Sequence, residues 1–456
     1  MVPIDLIPVN TKEIFSNLFE KNKEILLSAG SDYVNSNRIS AINTFNKIGL
    51  PQIKDENYKY TSINQYFEKD IGHIFNPVNI DIELDEIFKC DIPELDTHVI
   101  LVLNGFFHDN KKPLIKLDNG IIYGSLKTAS HEYPDLFEKY YGKSADFSRD
   151  GVTALNTAFS QDGVFVYVPK NINADKPFQI IHLLLSNESQ MVHHRNLFIL
   201  EDNAKAKFLI CDHTLSEAEF ITNSVSEVHI GQGSKLDLMR LQNEHNKSIQ
   251  ITNTFIHQMQ DSYVNTNYIT LHGGVIRNNV YVNLAENGAF NQAMGLFLVD
   301  KKQHVDNFVY VNHLSPNCTS NQLYKGILDD ESTGAFTGKI HVWKDAQHTK
   351  AYQRNNNILL SENAKMRTKP QLEIYADDVK CSHGATVGQL DEDSMFYLRS
   401  RGIPQKESLH MLMYAFTDEV LKEIQLPALK ERITELVDKR LRGELSHCNN
   451  CNINCR

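Results

Sequence analysis

Cys381 and His383 stand two residues apart in the stretch Asp377-Asp378-Val379-Lys380-Cys381-Ser382-His383-Gly384-Ala385-Thr386. On a β-strand alternate side chains share a face, so a thiolate and an imidazole at this spacing can share one metal ion. Against this stands a structural reading, with Cys381 a small buried apolar residue and His383 a hydrogen-bonded edge residue. A second thiol group closes the chain, in His447-Cys448-Asn449-Asn450-Cys451-Asn452-Ile453-Asn454-Cys455-Arg456. Cys448, Cys451 and Cys455 have a Cys-x2-Cys-x3-Cys spacing that can wrap a soft ion or an iron–sulfur cluster. So tight a group is unexpected in a chain with 7 cysteines. The pattern nevertheless lacks a second ligand pair, and an asparagine-rich terminus usually has no fixed structure.

Other chemistry is sparse. The nearest approach to a phosphate loop is Gly334-Ala335-Phe336-Thr337-Gly338-Lys339-Ile340. It has three residues between the glycines where such a loop needs four, and Ile340 stands where Ser or Thr would hold magnesium. No nucleotide is therefore expected on this chain. A Gly-x-Ser-x-Gly elbow, a His-Glu-x-x-His helix and a dinucleotide fingerprint are all missing, and no enzyme class is indicated. The 19 histidines, among them His193-His194, His304, His313 and His348, read mostly as surface or turn residues.

The elements that must position these residues fall into regions. Composition is that of an ordinary globular chain, with 41% hydrophobic and 23% charged residues. The net charge of −11 argues against nucleic acid as a main partner. There is no apolar run long enough to span a membrane and no secretory pattern in Met1-Val2-Pro3-Ile4-Asp5-Leu6. Scattered Cys90, Cys211, Cys318 and Cys381 suit a reducing cytoplasm better than a disulfide framework.

Residues 1–96 read as helices with a linker. Ile39, Ile42, Phe45 and Ile48 recur at helical spacing and stop at Gly49, with Pro51 beyond it. Residues 97–400 read as β-structure almost without helical periodicity. Short runs such as Val164-Phe165-Val166-Tyr167-Val168 alternate with small polar turns. Glu201-Asp202-Asn203-Ala204, Gly231-Gln232-Gly233-Ser234, Glu286-Asn287-Gly288-Ala289, Glu331-Ser332-Thr333-Gly334-Ala335 and Ser361-Glu362-Asn363-Ala364 resemble one another. Their spacing, roughly one or two coils of a repeat, fits a stacked β-solenoid. Asn-Gly hairpin signals are too few for a sandwich. Residues 401–445 read as two amphipathic helices, the first carrying Leu409, Leu412, Met413, Phe416 and Val420 and the second beginning after Pro427. They either cap strand edges or present a docking face. Residues 446–456 form the cysteine-rich tail.

The stretch from Pro370 to Thr386 closely resembles the C-terminal signature of the SufB/SufD family of iron–sulfur cluster assembly scaffold proteins. The resemblance continues through Gly388, Asp391 and Phe396-Tyr397-Leu398-Arg399-Ser400-Arg401-Gly402-Ile403. Leu155-Asn156, Ala158, Asp162-Gly163, His304 with Asp306, His313 and Tyr324-Lys325-Gly326-Ile327 look like further family positions. Pro51 through Glu56-Asn57-Tyr58-Lys59-Tyr60-Thr61 resembles the segment before the solenoid in the SufD branch. Cys381-Ser382-His383-Gly384 also points to that branch, since SufB has Glu-His-Glu there.

The resemblance implies a mainly β protein, a right-handed parallel β-helix flanked by helical N- and C-terminal regions. It implies a non-catalytic subunit that joins a SufB-like subunit and a SufC-like ATPase, the ATPase docking on the C-terminal helices. It further implies a homodimer of the isolated chain, and a transient iron–sulfur cluster or iron at the subunit interface with His383 as ligand. To Cys381 it gives no ligand role, and it says nothing about the tail. Two alternatives stay open at this point: a self-sufficient SufB-like scaffold, and a β-helix enzyme acting on polysaccharides.

Overall fold

The computed structural model describes residues 10–78 and 96–444, except residues 29, 110–111 and 149. Its centre is a parallel β-solenoid in which every coil gives one strand to each of two facing sheets. The first sheet stacks Gly163–Val168, Gln190–Leu200, Phe220–Ile230, Ile249–Gln258, Val275–Leu284, His304–His313, Thr333–Val342 and Lys365–Ile374. The second stacks Phe178–Leu184, Lys205–Thr214, Lys235–Asn243, Tyr263–His272, Phe290–Val299, Thr319–Leu328, Lys350–Leu359 and Lys380–Gly388. Registered partners lie between 26 residues (Ile249 to Val275) and 32 residues (Thr333 to Lys365) apart, one coil each.

The polar turns are explained by the corner from first sheet to second. Asn171, Asn203, Gly233, Asp261, Gly288, Asn317 and His348 all have positive φ there. Such a conformation is accessible to glycine and tolerated by Asn and Asp. Each of these residues donates its N–H to the next coil, as Asn203 does to the Gln232 carbonyl at 2.7 Å and Gly233 to that of Gln260 at 2.8 Å. The look-alike turns at Glu331 and Ser361 belong to the opposite corner, which leads from second sheet to first. The unequal spacing seen in sequence is thus a mixture of two corners.

An alternating strand buries one face inside the tube, and outward apolar residues need covers. Inside, Phe198, Leu200, Val228, Ile256, Val280 and Val309 meet Phe178, Phe208, Leu238, Val264 and Tyr324 across the sheets. Outside the first sheet, the helices Thr11–Lys21, Asp32–Ile48 and Gly151–Phe159 supply Phe15, Phe19, Phe45, Leu155 and Phe159. Gly49 ends the second of these helices at φ +69, its N–H bonded to the Phe45 carbonyl, as the Gly49 and Pro51 signal predicts. Outside the second sheet lie helices Gln405–Leu421 and Pro427–Arg442, which bury Met413, Val420, Leu429, Ile433 and Val437 against Leu209, Leu241, Ile269 and Leu296.

The near absence of helix expected over 97–400 does not hold. Helices Leu126–Glu132, Pro134–Tyr140, Gly151–Phe159 and Glu392–Ser400 lie within that span. All nine residues of Gly151–Phe159 are buried, and its polar residues Thr153, Asn156 and Thr157 are used in internal hydrogen bonds rather than on a solvent face. No helix among the described residues is long and apolar enough to cross a membrane.

Candidate functional site

Among the described residues Lys365–Ile374 and Lys380–Gly388 are the last strands of their sheets, each paired on one side only. In the second sheet Cys381 registers with Ala351 and His383 with Gln353, both buried. Cys381 packs with Ile340, Val342, Ala346 and Ala351. Cys381 and His383 therefore share the face turned toward the tube, at its open end. Cys381 is half-buried, and burial raises its thiol pKa against the lowering effect of a backbone hydrogen bond at Ala351. A raised thiol is a poor nucleophile and a poor ligand until a cation or base takes its proton. Apart from Cys381, every residue of Lys380–Gly388 is exposed, His383 included. An exposed imidazole can bind metal in its neutral form without unfolding anything.

The outward face of the same strand, with Ser382, borders a groove of about 510 Å³ that also touches Tyr352, Arg354, Glu419 and Lys422. Exposed aromatics surround the open end: Phe396 is 75% exposed, Tyr375 62% and Trp343 48%. Trp343 directly follows the strand Thr333–Val342, and its ring is exposed at the corner beyond it. Its His341 neighbour stacks on it at 4.8 Å.

Among the described residues no group of three or more His, Cys, Asp or Glu converges to hold a metal. Cys381 and His383 are two possible donors, and an ion shared between them would need further ligands from elsewhere. Cys448, Cys451 and Cys455 lie outside the described residues. The glycine-bearing stretch Gly334–Ile340 falls within strand Thr333–Val342 and forms no loop for phosphates.

Two expectations need correction. Of the docking face foreseen on the first C-terminal helix, Met413 and Val420 are buried in the chain's own core. Leu409 and Phe416 are half-buried against that core, and Lys325 donates to the Phe416 carbonyl at 3.0 Å and sits over its ring. The apolar stripe is consumed by the solenoid, and only half-buried Leu412 stays outside that cluster. The histidines also differ from expectation. His194 and His313 are buried, and His304 is held between the Thr61 and Thr333 hydroxyls at 2.8 and 2.7 Å. His348 does occupy an exposed turn, paired with Asp378 at 2.9 Å.

Residues 183–416 match the family model described as the SufBD core domain of SUF system FeS cluster assembly. The chain belongs to the SufBD family. Residues 9–180 match the model of the SufBD N-terminal region, so the helical cover and the solenoid are both family features. An iron–sulfur cluster assembly SufBD family protein of Synechocystis is 29% identical over 95% of this chain and 97% of its own length. The iron–sulfur cluster assembly protein SufD of Escherichia coli is 30% identical over 63% of this chain and 69% of its own length. Its namesake in Bacillus subtilis is 26% identical over 71% of this chain and 75% of its own length. The SufBD core match includes Cys381, His383 and the helix as far as Phe416.

Proposed function

We propose that this chain is the SufD-type subunit of a cytoplasmic iron–sulfur cluster assembly scaffold, completed by a SufB-like subunit and driven by a SufC-like ATPase. The cluster is cargo, built transiently and passed on; the chain itself is a scaffold and performs no catalysis. The observation that carries this reading is the pairing of half-buried Cys381 with exposed His383 on the inward face of an open solenoid end. Two donors make an incomplete site, and a second subunit abutting the end can complete it.

The free edges support the same arrangement. Two long terminal strands offer unpaired N–H and C=O groups, which natural proteins cover or pair. Tyr375, Val387 and Phe396 are exposed beside them. ATP is assigned to the partner, which docks on the outward side of the C-terminal helices around Leu412. Co-purification from the native host should recover a SufB-like chain and an ATPase with this one. In that complex His383→Ala should leave assembly of the three proteins intact and sharply reduce cluster formation. Recovery of this chain alone, or unchanged cluster yield, would refute the reading. A stable stoichiometric cluster on the isolated chain would favour the self-sufficient scaffold instead.

A further inference from the structure

One inward column of the second sheet runs through Phe208, Leu238, Thr266, Ala293, Gln322, Gln353 and His383, each registered with the next. Its early members pack the tube with apolar groups. The last two before His383 are amides, 2% and 1% exposed. Gln353 Nε2 donates to Gln322 Oε1 at 3.0 Å, one rung of an amide ladder. Gln353 Oε1 is buried and has no hydrogen-bond partner among the described residues. Nor has the Gln322 amide nitrogen at the other end of the rung.

This amide is accommodated deliberately. Gly338, facing it from the first sheet, has no side chain, and a Cβ there would lie 1.4 Å from Gln353 Nε2. Any other residue at 338 would force the amide to shift from this position. Burying a carbonyl without a donor is unfavourable, so such a group calls for a purpose. Neighbouring strands lie about 4.8 Å apart, and the residue registered above Gln353 on the same face is His383.

We propose that Gln353 is the positioning residue of His383: its buried Oε1 accepts the N–H of one ring nitrogen, fixing the tautomer and aiming the other nitrogen out of the open end. Metal-binding histidines are commonly oriented in this way by a carbonyl behind them. The exposed ring has no competing partner to break before it turns onto that oxygen. The proposal rests on His383 being the cluster-building ligand and names what aims it.

The test uses the full chain with its histidine rings labelled with ¹⁵N, the His383 signals being assigned by their loss in His383→Ala. Wild type should show a single His383 tautomer, Gln353→Met a mixture of both, and Gln353→Glu, which keeps an acceptor, a single tautomer again. In the co-expressed complex Gln353→Met should slow cluster assembly by about tenfold, with rescue by Gln353→Glu. Thermal melts and co-purification identify any variant that merely fails to fold, and Gly338→Ala displaces the amide independently. An unchanged tautomer in Gln353→Met overturns the proposal even where His383→Ala abolishes assembly. If His383→Ala itself is silent, the reading of the site falls instead.

Discussion

At the amino-terminal coils His182 and His194 lie inside the tube, both buried, their rings stacked with centroids 4.2 Å apart. His193, on the other face of the same strand, stacks on Phe159 at 5.6 Å and on His73 at 6.4 Å. Burial drives all three pKa values down, that of His182 to about 3 with further help from the Arg240 charge, the other two well below the usual range. At the opposite end His383 lies on the inward side of the last coil among the described residues, and is exposed. One kind of side chain on one kind of strand therefore stands in two environments. Where the antiparallel strands Leu114–Lys116 and Ile122–Ser125 continue the first sheet and the N-terminal helices cover its outer face, histidine is core. Where no further coil follows among the described residues, it stands exposed.

The charged pairs sharpen the contrast and give the largest expected effect. Near the closed end Arg195 and Glu227 are fully buried, 2.7 Å apart, with Arg195 also bonded to Thr157 and set over the Tyr141 ring. Burial raises the Glu227 pKa, but Arg195 and backbone donors such as Gly142 outweigh it and hold the carboxyl below its usual range. Arg195→Ala strands that carboxylate in the core and should cost about 3–5 kcal/mol in denaturant melts. Near the open end Arg354 and Glu419 pair at 2.5 Å with the arginine side chain 59% exposed. There Arg354→Ala should cost less than about 1 kcal/mol. Equal losses at the two ends would break the comparison.

A middle-sized effect depends on pH. As pH falls through about 6.5 the unfolded chain takes a proton on His182, whereas the folded chain does not until about 3. The folded state binds fewer protons in that window, so stability is present at neutral pH and is lost as pH falls. At pH 5 this one residue accounts for roughly 2 kcal/mol. His182→Leu should flatten the acid limb of a stability-versus-pH curve by that amount. An unchanged limb would mean that the ring is already solvated in the folded protein.

How much of this was legible in sequence follows from the same physics. The second C-terminal helix was readable because Leu429, Ile433 and Val437 bury one face and leave the rest polar. The solenoid was readable through its turns, since Asn203, Gly233 and Gly288 are the residue types a left-handed corner requires. The helix Gly151–Phe159 was hidden because it is buried on every side. Cys381 and His383 were found by spacing, but spacing does not say which coil is last. His193-His194 and Cys381-Ser382-His383 look alike as strings; only stacking order decides which is covered. The docking stripe was misassigned for a related reason, since Met413 and Val420 are apolar whether the surface they meet is a partner or their own solenoid.

The smallest expected effect is the one that the comparison rests on. His383 makes no hydrogen bond or ion pair within the described residues that would hold its ring, and its strand is exposed along nearly its whole length. Truncating it removes little packed surface and, on the proposal above, one hydrogen bond to the Gln353 carbonyl at the open end, where water can take the place of the exposed ring. His383→Ala should therefore change unfolding free energy by no more than about 0.5 kcal/mol. Cys381→Ser should cost somewhat more, around 1 kcal/mol, because it places a hydroxyl against Ile340, Val342 and Ala351. The order is the informative part: in stability Cys381 should matter more than His383, and in cluster assembly His383 should matter more than Cys381. A residue kept for the fold would have the same rank in both measurements. Denaturant melts of the two variants, set beside cluster yields in the complex, check both rankings. A stability loss above about 1 kcal/mol for His383→Ala would place that histidine with the buried ones at the other end, and the distinction between the two ends would fail.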